Sequence, residues 1–104
     1  MDLESLSPPN RDLLMQALPE GRVVNLLYDG GARVEGGYAR ERRCFALGER
    51  GWLDFVGWEG RPRAGNRCLS RWALTDEARA LLKPARAGER RAPAGDRLGP
   101  LQAL

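Results

Sequence analysis

Arginine is the residue type whose number and spacing in this sequence could do chemistry. The chain has 104 residues, and of its 17 cations all but one are arginine. A guanidinium group bonds phosphates and guanine edges through two parallel N–H donors, which a lysine ammonium cannot do. An arginine excess also occurs in proteins from GC-rich genomes, but that does not explain clustering. The clusters are Arg40, Arg42 and Arg43, and then Arg61, Arg63, Arg67 and Arg71.

The charge is distributed unevenly along the chain. Residues 1–60 hold seven arginines against ten acids, whereas residues 61–104 hold ten cations against four acids. No acid lies between Arg61 and Arg71. A loop with this composition suits the phosphate backbone or the minor groove of DNA. The predicted partner is therefore double-stranded DNA.

Residues for catalysis or metal binding are scarce. The chain has no histidine and two cysteines, Cys44 and Cys68. Without histidine there is no Ser-His or Cys-His pair, and two cysteines fall short of a zinc site. We expect no catalytic residues, no metal, no cofactor and no enzyme activity, and we expect both thiols to be reduced and buried.

The first half of the chain carries clear helix signals and one ambiguous segment. Ser7 before Pro8 is typical of a helix start, and the apolar spacing predicts a helix over 8–18 that Pro19 ends. Residues 22–36 favour a β-hairpin, because the turn sequence at Asp29 separates two runs rich in β-formers. A short helix over 22–28 is the alternative.

The second half predicts a helix, two strands and a further helix. Composition indicates a helix over 38–49, strands over 52–56 and 68–74 around a basic loop, and a helix from Thr75 to Lys83 that Pro84 ends. Trp52 and Trp72 fall on apolar strand positions and are expected in the core. We predict a flexible N-terminus over 1–6, one domain over 7–83 and a disordered basic tail over 84–104.

Two phrases in this region resemble winged helix-turn-helix proteins. Residues 46–53, ALGERGWL, resemble the junction between recognition helix and wing, and residues 72–82, WALTDEARALL, resemble the return from the wing into the last helix. The resemblance implies a winged-helix-like α+β domain ordered helix, hairpin, helix, two-stranded wing, helix. It departs from the family where the second helix is expected, because 22–36 occupies that place. The structural alternative is a small SH3-like β barrel, with Cys44 to Leu47 as a strand.

The resemblance and the charge pattern together suggest a small bacterial or phage transcription regulator. Arg40, Arg42 and Arg43 are expected in the major groove, and Arg61, Arg63 and Arg67 on the backbone. The functional alternative is a protein-binding module that docks on a host enzyme or nucleoprotein complex, with Trp58, Arg71 and the wing arginines as contacts. A homodimer remains open. No apolar run is long enough for a membrane span, so a cytoplasmic protein is expected.

Overall fold

The computed structural model describes residues 1–61 and 66–88 of the chain, which form a small α+β domain. A 3-10 turn at Leu3–Ser5 comes first. The remaining elements are, in order, α1 (Pro8–Ala17), β1 (Arg22–Asp29), β2 (Ala32–Arg33), α2 (Glu35–Glu49), β3 (Leu53–Gly60), β4 (Cys68–Leu74) and a last helix, α3, over 76–88. The predicted arrangement of three helices around strands is confirmed at this level. The β barrel is wrong, because Cys44 to Leu47 lie within α2.

Helix α1 begins where the sequence predicted. The Ser7 side chain accepts a hydrogen bond from the backbone N–H of Asn10, and Pro8 occupies the first helical position, where no intrahelical donor is needed. Leu14 and Ala17 of this helix are buried in the core. The 3-10 turn before α1 gives residues 3–5 regular structure where we predicted a flexible lead-in.

The four strands form one antiparallel sheet in the order β2-β1-β4-β3. The hairpin predicted for 22–36 is confirmed, and the competing helix is wrong. Gly30 and Gly31 both have positive φ, as a two-residue hairpin turn of this type requires. Alternate residues of β1, namely Val23, Asn25 and Leu27, are buried on the same face, which gives the strand its period of two.

Helix α2 covers the buried face of the sheet. Its inward residues include Gly37, Glu41, Cys44 and Leu47. A Cβ atom at position 37 would overlap the carbonyl oxygen of Leu26, so only glycine lets α2 approach β1 this closely. The helix begins at Glu35, three residues before the predicted start.

The β3–β4 hairpin and α3 complete the domain. Strand β3 continues to Gly60, past the predicted end, with a register shift between Phe55 and Gly57. Thr75 caps α3 as predicted, accepting a hydrogen bond from Ala78 N at 3.1 Å. The prediction that Pro84 ends this helix is wrong, since helical residues continue to 88. Ala85 and Arg86 are half-buried there, and the helix continues although Pro84 cannot donate an intrahelical hydrogen bond.

The core lies between the helices and one face of the sheet. Trp52 and Trp72 are both buried, as predicted, and so are the free thiols of Cys44 and Cys68. In the described part of the chain, no helix is long and apolar enough to cross a membrane. The predicted tail from residue 89 onwards lies outside the described residues.

Candidate nucleic-acid interface

A buried polar network lies between α2 and the sheet. The Glu41 side chain is 4% exposed, and its Oε1 atom accepts hydrogen bonds from three different residues of the sheet. The donors are Asn25 Nδ2 at 2.8 Å, Ser70 Oγ at 2.6 Å and Trp72 Nε1 at 2.7 Å. In the sequence Glu41 stands among arginines at 40, 42 and 43, a pattern typical of a solvated helix face. Instead it is the centre of the helix–sheet interface.

The same network fixes Arg40 at the surface. Because the Asn25 amide nitrogen faces Glu41, the Asn25 Oδ1 atom is free to accept a hydrogen bond from Arg40 Nε at 2.7 Å. Arg40 Nη2 also donates to the carbonyl oxygen of Val24 at 3.0 Å. These contacts use two of the five N–H donors of the guanidinium. The two hydrogen bonds hold the Arg40 guanidinium at a fixed position, and its remaining three N–H donors are available to a ligand.

An open groove of about 490 Å³ lies between α1, β1 and α2. Its apolar part includes Leu13 and Ala17 of α1 and Val23 of β1. Its charged lining consists of one carboxylate and three guanidinium groups, from Asp12, Arg22, Arg40 and Arg43. We call this surface the arginine groove.

The groove arginines differ in how firmly they are held. Arg22 Nε lies 3.4 Å from Glu20 Oε2 in an ion pair with both side chains exposed, and such pairs contribute little. Arg43 is exposed and makes no hydrogen bond or ion pair within the described residues. Arg40 is therefore the fixed member, and Arg22 and Arg43 can adapt to a bound anion.

The structure separates the predicted basic loop from this groove. Cys68 pairs with Gly60 on one side and with Tyr28 on the other, so the strand ends at Gly60 and Cys68 lie at the Tyr28 end of β1. The groove lies at the Arg22 end of the same strand. The two places are separated by about five strand residues, or about 17 Å.

The other predicted contact residues have separate positions. Arg42 is exposed on α2 but does not line the groove, and Arg61 is exposed directly after β3. Arg67 lies 3.4 Å from Asp29, and Arg71 pairs with Glu59, so acids neutralise both. Arg63 lies outside the described residues. Of the predicted set, the structure brings Arg40 and Arg43 together and adds Arg22, which the sequence reasoning missed.

A second exposed feature lies on the opposite flank of α2 from the groove. Three aromatic side chains are largely exposed there, with 50% for Phe45, 43% for Phe55 and 56% for Trp58. We call these three residues the aromatic patch. Trp58 was predicted as a contact residue, whereas Phe45 and Phe55 were not. In the sequence, Phe55 shares the inward side of its strand with Leu53, which is the pattern of a core residue. Phe55 is nevertheless exposed, because β3 lies at the edge of the sheet.

The patch is built on a buried ring. Phe45 and Phe55 meet Trp72 edge to face, with centroid distances of 5.0 and 5.1 Å, and Phe55 meets Trp58 at 5.2 Å. Trp72 in turn donates its N–H to Glu41. The buried network thus supports both the arginine groove and the aromatic patch.

Two ionisable side chains of α2 have shifted pKa values. Burial raises the pKa of the Cys44 thiol; the hydrogen bond from Asn25 lowers it, and the Glu41 carboxylate raises it. The thiol therefore stays protonated at neutral pH. The hydrogen bond to Tyr28 and burial raise the pKa of Tyr38, which Arg33 covers at 4.1 Å from the ring centroid.

The chemistry open to the groove is the binding of anions through charge-assisted hydrogen bonds. Among the described residues, no group of three or more His, Cys, Asp and Glu side chains could hold a metal ion. Comparison with protein-family models, curated proteins and solved structures gives no match to this chain.

Proposed function

We propose that this protein binds DNA and that its arginine groove holds phosphate groups of the backbone. The observation that carries the proposal is the convergence of Arg22, Arg40 and Arg43 on one groove that contains a single carboxylate. Arginine is the preferred cation for phosphate, because its planar fork can make two parallel hydrogen bonds to one group.

The buried network supports this function through Arg40. A buried carboxylate and amide cost stability unless their hydrogen bonds are made. Here Glu41 Oε1 and Asn25 make theirs, Glu41 Oε2 has no partner among the described residues, and the network leads to one surface guanidinium. A free arginine side chain carries about 2 kcal/mol of rotamer entropy, part of which it loses on binding. Arg40 has already lost most of that freedom in the folded chain. The network therefore prepares a phosphate contact in advance.

We further propose that the domain acts as a winged-helix-like reader, in the manner of a small transcription regulator. The order of elements supports this, since α2 is followed by the β3–β4 hairpin and then by α3. In this arrangement α2 meets the DNA, and Arg61, which is exposed directly after β3, contacts a second stretch of backbone about 17 Å from the groove. The β1–β2 hairpin stands where such proteins have their second helix.

The test is the binding of fluorescein-labelled duplex DNA, followed by anisotropy at 50 and 200 mM salt. If each groove arginine neutralises one phosphate, the groove contributes about −2.7 to the log–log salt slope, which by itself lowers the affinity about 40-fold over this range. Removing one contact with Arg43→Ala reduces that contribution to about −1.8, which corresponds to a fall of about 12-fold.

The matched control is Arg33→Ala, which removes the same charge from β2, away from the groove. Arg33 pairs with Glu35 at the surface, so its loss is expected to leave the slope unchanged. The proposal is wrong if the wild-type protein binds no DNA in a salt-dependent way. It is also wrong if Arg43→Ala and Arg33→Ala weaken binding equally.

A further inference from the structure

We propose that the aromatic patch stacks unpaired bases, so that the preferred ligand is a single-stranded nucleic acid or an opened stretch of a duplex. This inference rests on the proposed function and names its ligand more closely. Exposed aromatic rings beside cations are the usual means of binding single strands without sequence preference. The three patch residues supply such rings. The arginine groove, on the other flank of α2, supplies cations.

The orientation of the rings favours unpaired bases over a duplex. The planes of Phe55 and Trp58 are inclined by 61°, so their outer faces point in different directions. Adjacent bases of a duplex are parallel and stacked on each other, and cannot cover two inclined rings. Unstacked bases of a single strand can splay apart and meet each ring separately.

The patch is held rigidly enough to act as a platform. Trp72, on which Phe45 and Phe55 rest, is 3% exposed and is fixed through its N–H bond to Glu41. Rings that are ordered before binding lose little conformational entropy when a base stacks on them. The exposed aromatic area is therefore a preformed surface.

An exposed cation lies on the same flank of α2 as the patch. This is Arg42, which precedes Phe45 by three residues, and a second exposed arginine, Arg61, follows directly after β3. Neither has a hydrogen bond or ion pair within the described residues. On the far side of α2 lies the arginine groove. A helix with its side chains is about 10–12 Å across. A nucleic-acid strand therefore has to span only about that distance to pass over α2 from the arginine groove to the aromatic patch.

A β-strand of another chain is a less suitable occupant of this region than a nucleic acid. Strand β3 is at the sheet edge, but it carries a register shift at Val56 and two acids, Asp54 and Glu59. Bulges and charges of this kind protect an edge from pairing. Two copies paired antiparallel around Val56 and Gly57 would set Asp54 opposite Glu59, and like charges there are destabilising. The occupant therefore approaches the face of the patch and not the edge.

The experiment compares a labelled twelve-nucleotide thymidine strand, the matching uridine strand and a duplex of the same length, by anisotropy at 50 mM salt. We expect tighter binding of the single strands, with either sugar, than of the duplex. Trp58→Ala is expected to weaken single-strand binding about 5- to 150-fold, the range measured for the loss of one stacked base. Trp58→Phe should retain most of the affinity.

The matched control is Val56→Ala, an equally exposed apolar side chain on the same strand that has no ring to stack. It is expected to bind like the wild-type protein, and circular dichroism checks that each variant is folded. The inference is overturned, with the proposed function intact, if duplex binds as tightly as single strands and Trp58→Ala changes neither. Absence of binding to all three ligands overturns both.

A protein partner gives a different result. If sedimentation velocity shows a dimer that Trp58→Ala dissociates, while nucleic-acid affinity is unchanged, the patch is an interface between copies of this chain. That outcome also overturns the inference.

Discussion

Replacing Glu41 by alanine removes the acceptor at the centre of the buried network and is expected to destabilise the domain strongly. The substitution leaves Asn25 Nδ2, Ser70 Oγ and Trp72 Nε1 without their common acceptor. Each orphaned buried donor costs about 1–3 kcal/mol. Removing a buried carboxylate also relieves its desolvation penalty, which is several kcal/mol. Because three donors are orphaned at once, their combined cost exceeds the relief, and we expect a net loss of about 3–5 kcal/mol in the free energy of unfolding.

The assay is urea unfolding at pH 7, followed by far-UV circular dichroism. For a domain of this size a loss of 3–5 kcal/mol lowers the midpoint by about 2 M urea, because the denaturant slope is about 2 kcal/mol per molar. Glu41→Gln keeps an acceptor oxygen and removes the charge. It should lose less stability than Glu41→Ala and remain measurable if the alanine variant does not fold.

The control is Glu49→Ala, on the same helix but exposed to solvent. A surface change of this kind usually stays within about 0.5 kcal/mol of the wild type. If Glu41→Ala and Glu49→Ala unfold at the same urea concentration, Glu41 does not bond the sheet, and the reasoning about both the groove and the patch is refuted.

Two further predictions concern stability. Gly37→Ala is expected to destabilise the domain strongly, because the added Cβ atom overlaps the Leu26 carbonyl oxygen. Gly36→Ala meets open space and should stabilise α2 by about 0.5–1 kcal/mol. Equal thermal midpoints of the two variants would contradict the close packing of α2 on β1. The raised pKa of Cys44 means that the unfolded chain ionises this thiol before the folded chain does. Stability should thus fall as pH rises above the ordinary value of 9.0, and Cys44→Ala should flatten that fall in urea titrations at pH 8 to 10. An unchanged pH profile in the variant would disprove the linkage.

Local signals were enough to predict most elements. The caps at Ser7 and Thr75 and the turn at Asp29 each act within a few residues, so they can be recognised without knowing the fold. The sequence did not predict the end of α3, because no signal within a few residues determines it. Whether a helix continues past Pro84 depends on what its next turn packs against, which local sequence does not reveal.

The candidate site depended on contacts between distant residues. Glu41 stands between arginines at 40, 42 and 43, which is the pattern of a solvated helix face, and only the pairing of β1 with β4 brings Asn25, Ser70 and Trp72 around it. One signal was present. Asn25 occupies an inward position of β1, between Val23 and Leu27, and a polar residue there indicates a buried partner.

The sequence did not show which arginines share a flank of α2, because it did not show which side of this helix faces the sheet. Once Glu41 is known to face the sheet, the helical period places Arg40 and Arg43 on one flank and Arg42 with Phe45 on the other. Without that fact, all three arginines looked equivalent. The distance from the groove to the hairpin tip likewise required the strand register, which the sequence did not specify.

The most direct test of the central claim is the salt slope of DNA binding for the double variant Arg22→Ala, Arg43→Ala. Both side chains line the groove and neither takes part in the buried network, so the fold is expected to remain intact. We predict a slope about 1.8 smaller in magnitude than that of the wild-type protein. A slope equal to the wild-type value would show that phosphates bind elsewhere on the molecule.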